Sequence, residues 1–202
     1  MPNARVTDIL RKLKRLFPRE RVFLSYRTRW QLLVAVILSA QCTDKKVNEV
    51  TARLFKKYPR FEDYLRVNPR AFERDIFATG FYRAKTKSIL GAARMIQEQF
   101  GGRVPGTMEE LLMLPGVGRK TANIVLESGF GKVIGIPVDT HVARLARAWG
   151  FSKERNPEKI ERDLMRIIPR RAWPGLSYRM IAYGRAYCSA RKHDGAKCPI
   201  PH

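Results

Sequence analysis

Residues 114–123 read LPGVGRKTAN. Two glycines and a proline fall within residues 115–118, and Arg119 and Lys120 open what reads as a helix running to Leu126. The N-terminal end of a helix is already partly positive, so adjacent cations there are mildly destabilising. Either something negative docks at that end, or one of the cations is needed for chemistry. A lysine is a weak nucleophile while protonated. A positive helix end and a cationic chain both disfavour the protonated form, and a free amine can attack a carbonyl-like carbon. A solvated or phosphate-binding side chain is the competing reading for Lys120. Further along, GIPVDTHVARLARAW places Asp139 immediately before another helical stretch. An acid there reads first as a helix N-cap. That role is compatible with a second one, moving protons or steadying a sugar cation beside a nucleophilic lysine.

The element that must present Lys120 is a hairpin. A helix ending near Met113, a tight turn through Pro115, Gly116, Val117 and Gly118, and a second helix from Arg119 describe a helix–hairpin–helix. Glycines permit a backbone path that turns successive N–H groups outward, and amides at a helix N-terminus make an anion site. A DNA phosphate satisfies such a site without any base being read. An ordinary helical hairpin, with glycines for packing, is the alternative. The charge balance weighs against it: 40 Lys plus Arg stand against 18 Asp plus Glu, a formal net charge of +22 on 202 residues. Self-repulsion on that scale points to a polyanionic partner, nucleic acid first and an anionic membrane second. The longest apolar run, LLVAVILSA at residues 32–40, is far short of the roughly 20 residues a spanning helix needs. No charged-then-apolar leader is apparent. Three cysteines, Cys42, Cys188 and Cys198, form no disulfide framework, and a reducing cytoplasm fits.

The remaining pattern is helical throughout. VTDILRKLKRLF has apolar residues at helical spacing, with Thr7 or Asp8 expected to cap it and Pro18 to end it. RWQLLVAVILSAQ is apolar nearly all round and reads as a central buried helix. Further helices are expected in DKKVNEVTARLFKKY, around residues 61–67 and 69–77, and in YRAKTKSILGAARMIQEQF between flanking glycines. Thr107 and Glu110 form a capping box for TMEELLML, RKTANIVLESGFG is expected to be helical as far as Gly129, and three more helices follow Asp139. KVIGIPV is the one β-like stretch. The expectation is an all-α protein of about ten helices with closely packed parts and no long linker.

Several separated segments together resemble the endonuclease III family of helix–hairpin–helix DNA glycosylases. LPGVGRKTAN followed by VDTH, LLVAVILSAQCTD, TGFYRAKTKSI and YGRAYCSARK match that family's segments in order and spacing across residues 5–198. The resemblance implies a two-lobe fold: a six-helix barrel at residues 21–131 that includes the helix–hairpin–helix at 108–128, and a second helical lobe from residues 1–20 and 132–202. By the same resemblance Lys120 is the catalytic lysine and Asp139 the catalytic aspartate, facing it across a cleft. Gly116, Val117 and Gly118, flanked by Leu114, Arg119 and Thr121, bind the DNA backbone. Gln41 fills the gap left by a flipped base. Phe81 stands where the family usually has an intercalating leucine, and it keeps an apolar wedge. The implied activity is base-excision repair: removal of oxidised pyrimidines from double-stranded DNA and cleavage of the abasic site by β-elimination, by a cytoplasmic monomer, nucleoid-associated if the source is prokaryotic. A mismatch thymine or uracil glycosylase of the same fold, or a non-catalytic DNA-binding module, are the alternatives. Most of the family also carries a [4Fe–4S] cluster on four cysteines spaced Cys-x6-Cys-x2-Cys-x5-Cys. Here Cys188 and Cys198 match the first and third, Gly195 occupies the second, and the fourth falls beyond His202. The expectation is therefore a vestigial cluster region with no cofactor. His193 and His202 are the further donors nearby, in a spacing that matches no zinc motif.

Overall fold

The computed structural model describes residues 4–18, 21–190 and 194–201. It is helical, with no strand among the described residues, and KVIGIPV is irregular extended chain. Eleven α-helices follow in order among the described residues: α1 Ala4–Leu16, α2 Arg29–Leu38, α3 Asp44–Lys57, α4 Asp63–Arg66, α5 Pro69–Ile76, α6 Tyr82–Phe100, α7 Met108–Met113, α8 Arg119–Phe130, α9 Thr140–Ala148, α10 Pro157–Ile167 and α11 Leu176–Ala186. Short 3-10 turns occupy Phe77–Thr79, Arg170–Ala172 and Gly195–Lys197. The chain divides into two compact units, Phe23–Lys132, and Met1–Val22 together with Val133–His202.

In the unit Phe23–Lys132, α2 is the core. Every residue from Trp30 to Leu38 is buried, as its all-round apolar pattern requires. It packs against α8, α3 and α6. The approach to α8 is close: a Cβ on Gly129 would lie 3.2 Å from the Leu32 side chain. Gly129 is thus inside α8, and the helix runs one residue past it to Phe130, where Gly131 at φ 67 supplies the left-handed cap. The helix terminates at the glycine that can turn, beyond the glycine that merely packs. Trp30 meets Tyr64 edge-on at 5.1 Å, and Tyr64 meets Phe72 at 5.8 Å, tying α4 and α5 to α2.

In the other unit, α11 packs on α9 and α1, and α10 on α9, around Leu13, Val142, Leu145, Trp149, Ile160, Leu164, Met180 and Tyr183. Helix α1 begins at Ala4, so Thr7 and Asp8 lie inside it and do not cap it. Asp8 instead pairs with Lys12 at 2.9 Å, the i,i+4 alternative open to an acid on a helix face. Tyr183 helps fasten the C-terminal segment. The Tyr183 hydroxyl accepts from the Ile200 N–H at 3.0 Å and donates to the Ile200 carbonyl at 3.2 Å. Both residues are buried. Tyr183→Phe strands both Ile200 groups, and a loss of about 2 kcal/mol in urea-measured stability is expected, with faster proteolysis after Cys188. Burial pushes the Tyr183 phenol up to about 12. The folded state therefore keeps this proton to higher pH than the unfolded chain. The stabilisation is complete below the ordinary tyrosine value and lost as pH rises from there through about 12.

Candidate functional site

The hairpin is built as its sequence demands. The Thr107 N-cap accepts from the Glu110 N–H at 3.3 Å and donates its hydroxyl to the Glu110 carboxylate at 2.7 Å, starting α7. The chain then reverses through Leu114–Gly118. Gly116 adopts φ 78, and a Cβ there would come 2.6 Å from Ser88 on α6. Both the dihedral and the space exclude any other residue. Gly116→Ala is expected to lower DNA affinity at least about tenfold and to cost about 2 kcal/mol of stability, read by fluorescence anisotropy and thermal melting.

The side chains of Leu114 and Val117 are buried, so they anchor the turn and offer DNA only main chain. The Val117 N–H is itself committed to the Leu114 carbonyl at 3.1 Å. The expected succession of outward N–H groups is thus interrupted at Val117, because closing so tight a turn uses its amide. Beyond it, α8 begins at Gly118 with no side-chain cap. By contrast α2, α3, α5, α9 and α10 are each capped by a Thr, Asn or Asp side chain. The α8 N-terminus thus shares with α4, α6 and α11 a start without a side-chain cap. Arg119 and Thr121 are half-buried on its first turn, and Lys120 is exposed between them.

Asp139 belongs to the other unit. Its carboxylate accepts from the Val142 N–H at 2.8 Å, so it caps α9 as expected, and it remains half-buried. The extended chain before it is pinned by buried Ile136 and Val138 and by the Ser177 hydroxyl, which donates to the Pro137 carbonyl at 2.7 Å.

Gln41 and Phe81 share a feature that no spacing pattern announces. They are the two non-glycine residues with positive φ among the described residues, at 52° and 46°. Each such conformation costs an L-residue roughly 1–2 kcal/mol, and bulky Phe81 is the greater outlier. Both are exposed, Phe81 at 64%. Gln41 sits in the α2–α3 turn and Phe81 at the N-terminus of α6, again a helix start with no side-chain cap. Phe77, 63% exposed and tilted by 48° against Tyr82 at 4.9 Å, is a further exposed aromatic four residues before Phe81. The sequence reading missed it.

A family model described as HhH-GPD superfamily base excision DNA repair protein matches residues 34–170. The endonuclease III of Synechocystis sp. is 50% identical over 198 residues, which cover 98% of this chain and 90% of that relative. This chain belongs to the endonuclease III family. The Bacillus subtilis endonuclease III is 44% identical over 192 residues, covering 95% of this chain and 87% of its own. A solved non-covalent endonuclease III–DNA complex superposes with a TM-score of 0.91 at 41% identity, covering 96% of this chain and 91% of that one. A thermostable thymine-DNA glycosylase, at 22% identity and a TM-score of 0.84 over 97% of this chain and 93% of that one, shares the fold. As an endonuclease III family member the chain is a DNA-binding, base-excision DNA glycosylase and abasic-site lyase.

The family's four-thiolate cluster does not fit the residues present. Cys188 and Cys198 are buried, and the Cys198 thiol donates to the Tyr187 carbonyl at 3.5 Å. Burial, and then the neighbouring Cys198, push the Cys188 thiol up. Gly195, at the second ligand position, opens a 3-10 turn and has no donor atom. Cys42 lies in the other unit. Among the described residues no group of three or more His, Cys, Asp and Glu side chains could hold a metal. His193 and His202 lie outside the described residues. No helix among the described residues is long and apolar enough to cross a membrane.

Proposed function

We propose that Lys120 is the nucleophile and Asp139 the proton-handling carboxylate of this activity, and that the substrates are duplexes carrying an oxidised pyrimidine or an abasic site. The observation that carries this reading is the placement of Lys120: an exposed amine on the first turn of α8, directly after a glycine turn whose helix has no side-chain cap. The hairpin holds the backbone, and the amine arrives beside it. A damaged base pairs and stacks poorly, so extruding it costs less than extruding a normal one. Phe81 supplies an apolar wedge, and Gln41 a hydrogen-bonding side chain to fill the vacated place.

The amine of Lys120 forms a bond to C1′ as the bond from C1′ to the base breaks, and the base leaves with a proton. The sugar ring then opens: the C1′–O4′ bond breaks, O4′ takes a proton, and C1′ is held as an imine on Nζ. The imine acidifies C2′. Removal of a C2′ proton expels the 3′ phosphate and cleaves the strand. Asp139 serves the proton transfers. The chemistry uses side chains of this chain alone, and the enzyme acts as a monomer.

The test is borohydride capture on three duplexes, one with a single thymine glycol, one with an abasic site and one with a thymine–guanine mismatch. Borohydride reduces an imine to a stable cross-link. Cross-links on the first two are expected. Capture on the mismatch and abasic duplexes alone would reassign the substrate to mismatched thymine. Absence of capture on all three would remove the lysine mechanism.

A further inference from the structure

Something must hold Gln41 and Phe81 in their unfavourable backbone conformations, since an isolated loop would relax out of them. One side chain reaches both loops. Lys85, on α6, is 4% exposed. Its ammonium donates to the Leu38 carbonyl at 2.8 Å and to the Thr79 carbonyl at 2.8 Å. Leu38 is the last residue of α2, in the turn that leads to Gln41. Thr79 ends the 3-10 turn that leads through Gly80 to Phe81. Thr79 is itself buried and fixed by its hydroxyl, which donates to the Ile76 carbonyl at 2.8 Å. A single buried cation thus bridges the two segments that carry the two strained residues.

The choice of residue is informative. A buried ammonium is expensive, and an apolar side chain of the same length would pack there at lower cost. Burial pushes the Lys85 ammonium below its ordinary value, opposed only by the nearby Cys42 thiol. Both of its acceptors are neutral carbonyls, so this is no ion pair. A costly group retained on two backbone acceptors contributes geometry.

We propose that Lys85 is a positioning residue that locks the Gln41 and Phe81 loops into one rigid unit, so that wedge and gap-filler enter the duplex together. This rests on the reading of Gln41 and Phe81 given above.

The experiment is a mutant cycle with an independent structural readout. Lys85→Met removes the charge and both donors while keeping an unbranched apolar stem, and Lys85→Gln restores neutral N–H donors. Hydrogen exchange of residues 39–43 and 79–83 in the free protein is measured with single-turnover base release from a thymine glycol duplex. The backgrounds are wild type and Gln41→Ala/Phe81→Ala. Lys85→Met is expected to speed exchange in both loops, with α8 and α11 still protected. It should slow base release about tenfold in the wild-type background and less than about twofold in the double-alanine background. Lys85→Gln should recover part of the loss. Equal losses in both backgrounds, or loops that exchange no faster, would overturn the proposal. If Gln41→Ala/Phe81→Ala leaves base release unchanged, the insertion reading fails instead, and loop exchange alone decides the clamp. Loss of the folded state in both Lys85 variants would overturn a role confined to positioning.

Discussion

Alanine at Lys120 is expected to abolish the borohydride-trapped cross-link and to reduce strand cleavage at an abasic site by at least roughly 10³-fold. The fold should not notice. Lys120 is exposed, alanine is the best helix former, and removing a cation from the first turn of α8 relieves an unfavourable interaction with the helix dipole. The thermal midpoint should hold or rise slightly. DNA affinity should fall only by the share of one phosphate contact, because the hairpin turn, Arg119 and the rest of a +22 surface remain. Anisotropy and cross-linking measured on the same abasic duplex separate these quantities. A cross-link that survives the substitution would mean that another amine attacks C1′, and the assignment of Lys120 would fall.

Asparagine at Asp139 is expected to separate two roles that one carboxylate combines. The structural role is the N-cap of α9, through an oxygen 2.8 Å from the Val142 N–H. An asparagine carbonyl performs it equally well, so stability should change by no more than a few tenths of a kcal/mol. The proposed chemical role needs a group that takes and returns a proton, which the amide cannot do. Base release should therefore drop by about 10²–10⁴-fold with folding intact. Asp139→Ala makes the contrast, because it should lose the activity and about 1 kcal/mol of stability as well. Single-turnover kinetics and thermal melting on both variants provide the check. An asparagine variant with full activity would leave Asp139 as a cap and nothing more.

Lys120 stood out in the sequence because a cation in the first turn of a helix is unusual in one dimension, whereas Asp139 reads locally as an ordinary N-cap and its second role came with the family resemblance. A cation on the wrong end of a helix, and an acid at a helix start, can be seen without knowing what lies across space. The capping box of α7, the buried α2 and the turn at Gly116 were legible for the same reason: each follows from residues within one or two turns of chain. The errors were also local. Asp8 had two local options, a cap or an i,i+4 pair, and the start of α1 at Ala4 decided for the pair. Gly129 was read as a terminator, but its lack of a side chain serves the approach of Leu32.

Lys85 shows the opposite case. It occupies the apolar stripe of α6 with Ile89, Ala92, Ala93 and Ile96, and a lysine at such a position is the one-dimensional sign that something is bridged. Which carbonyls it would reach was not readable, because Leu38 and Thr79 come to it from separate elements. The closure of the C-terminal segment on Tyr183 is of the same kind: a hydroxyl finding Ile200 across the fold.

By itself the sequence determined the helical class, the polyanionic partner and the hairpin, all properties of composition or of contiguous residues, while the proposed reactive pair came from the family resemblance. Only the tertiary structure decided that the Val117 amide is consumed by its own turn, that Gln41 and Phe81 are held in strained conformations, and that one buried ammonium joins their loops. Backbone strain and long-range hydrogen bonds depend on which segments meet, and no periodicity in the chain records that.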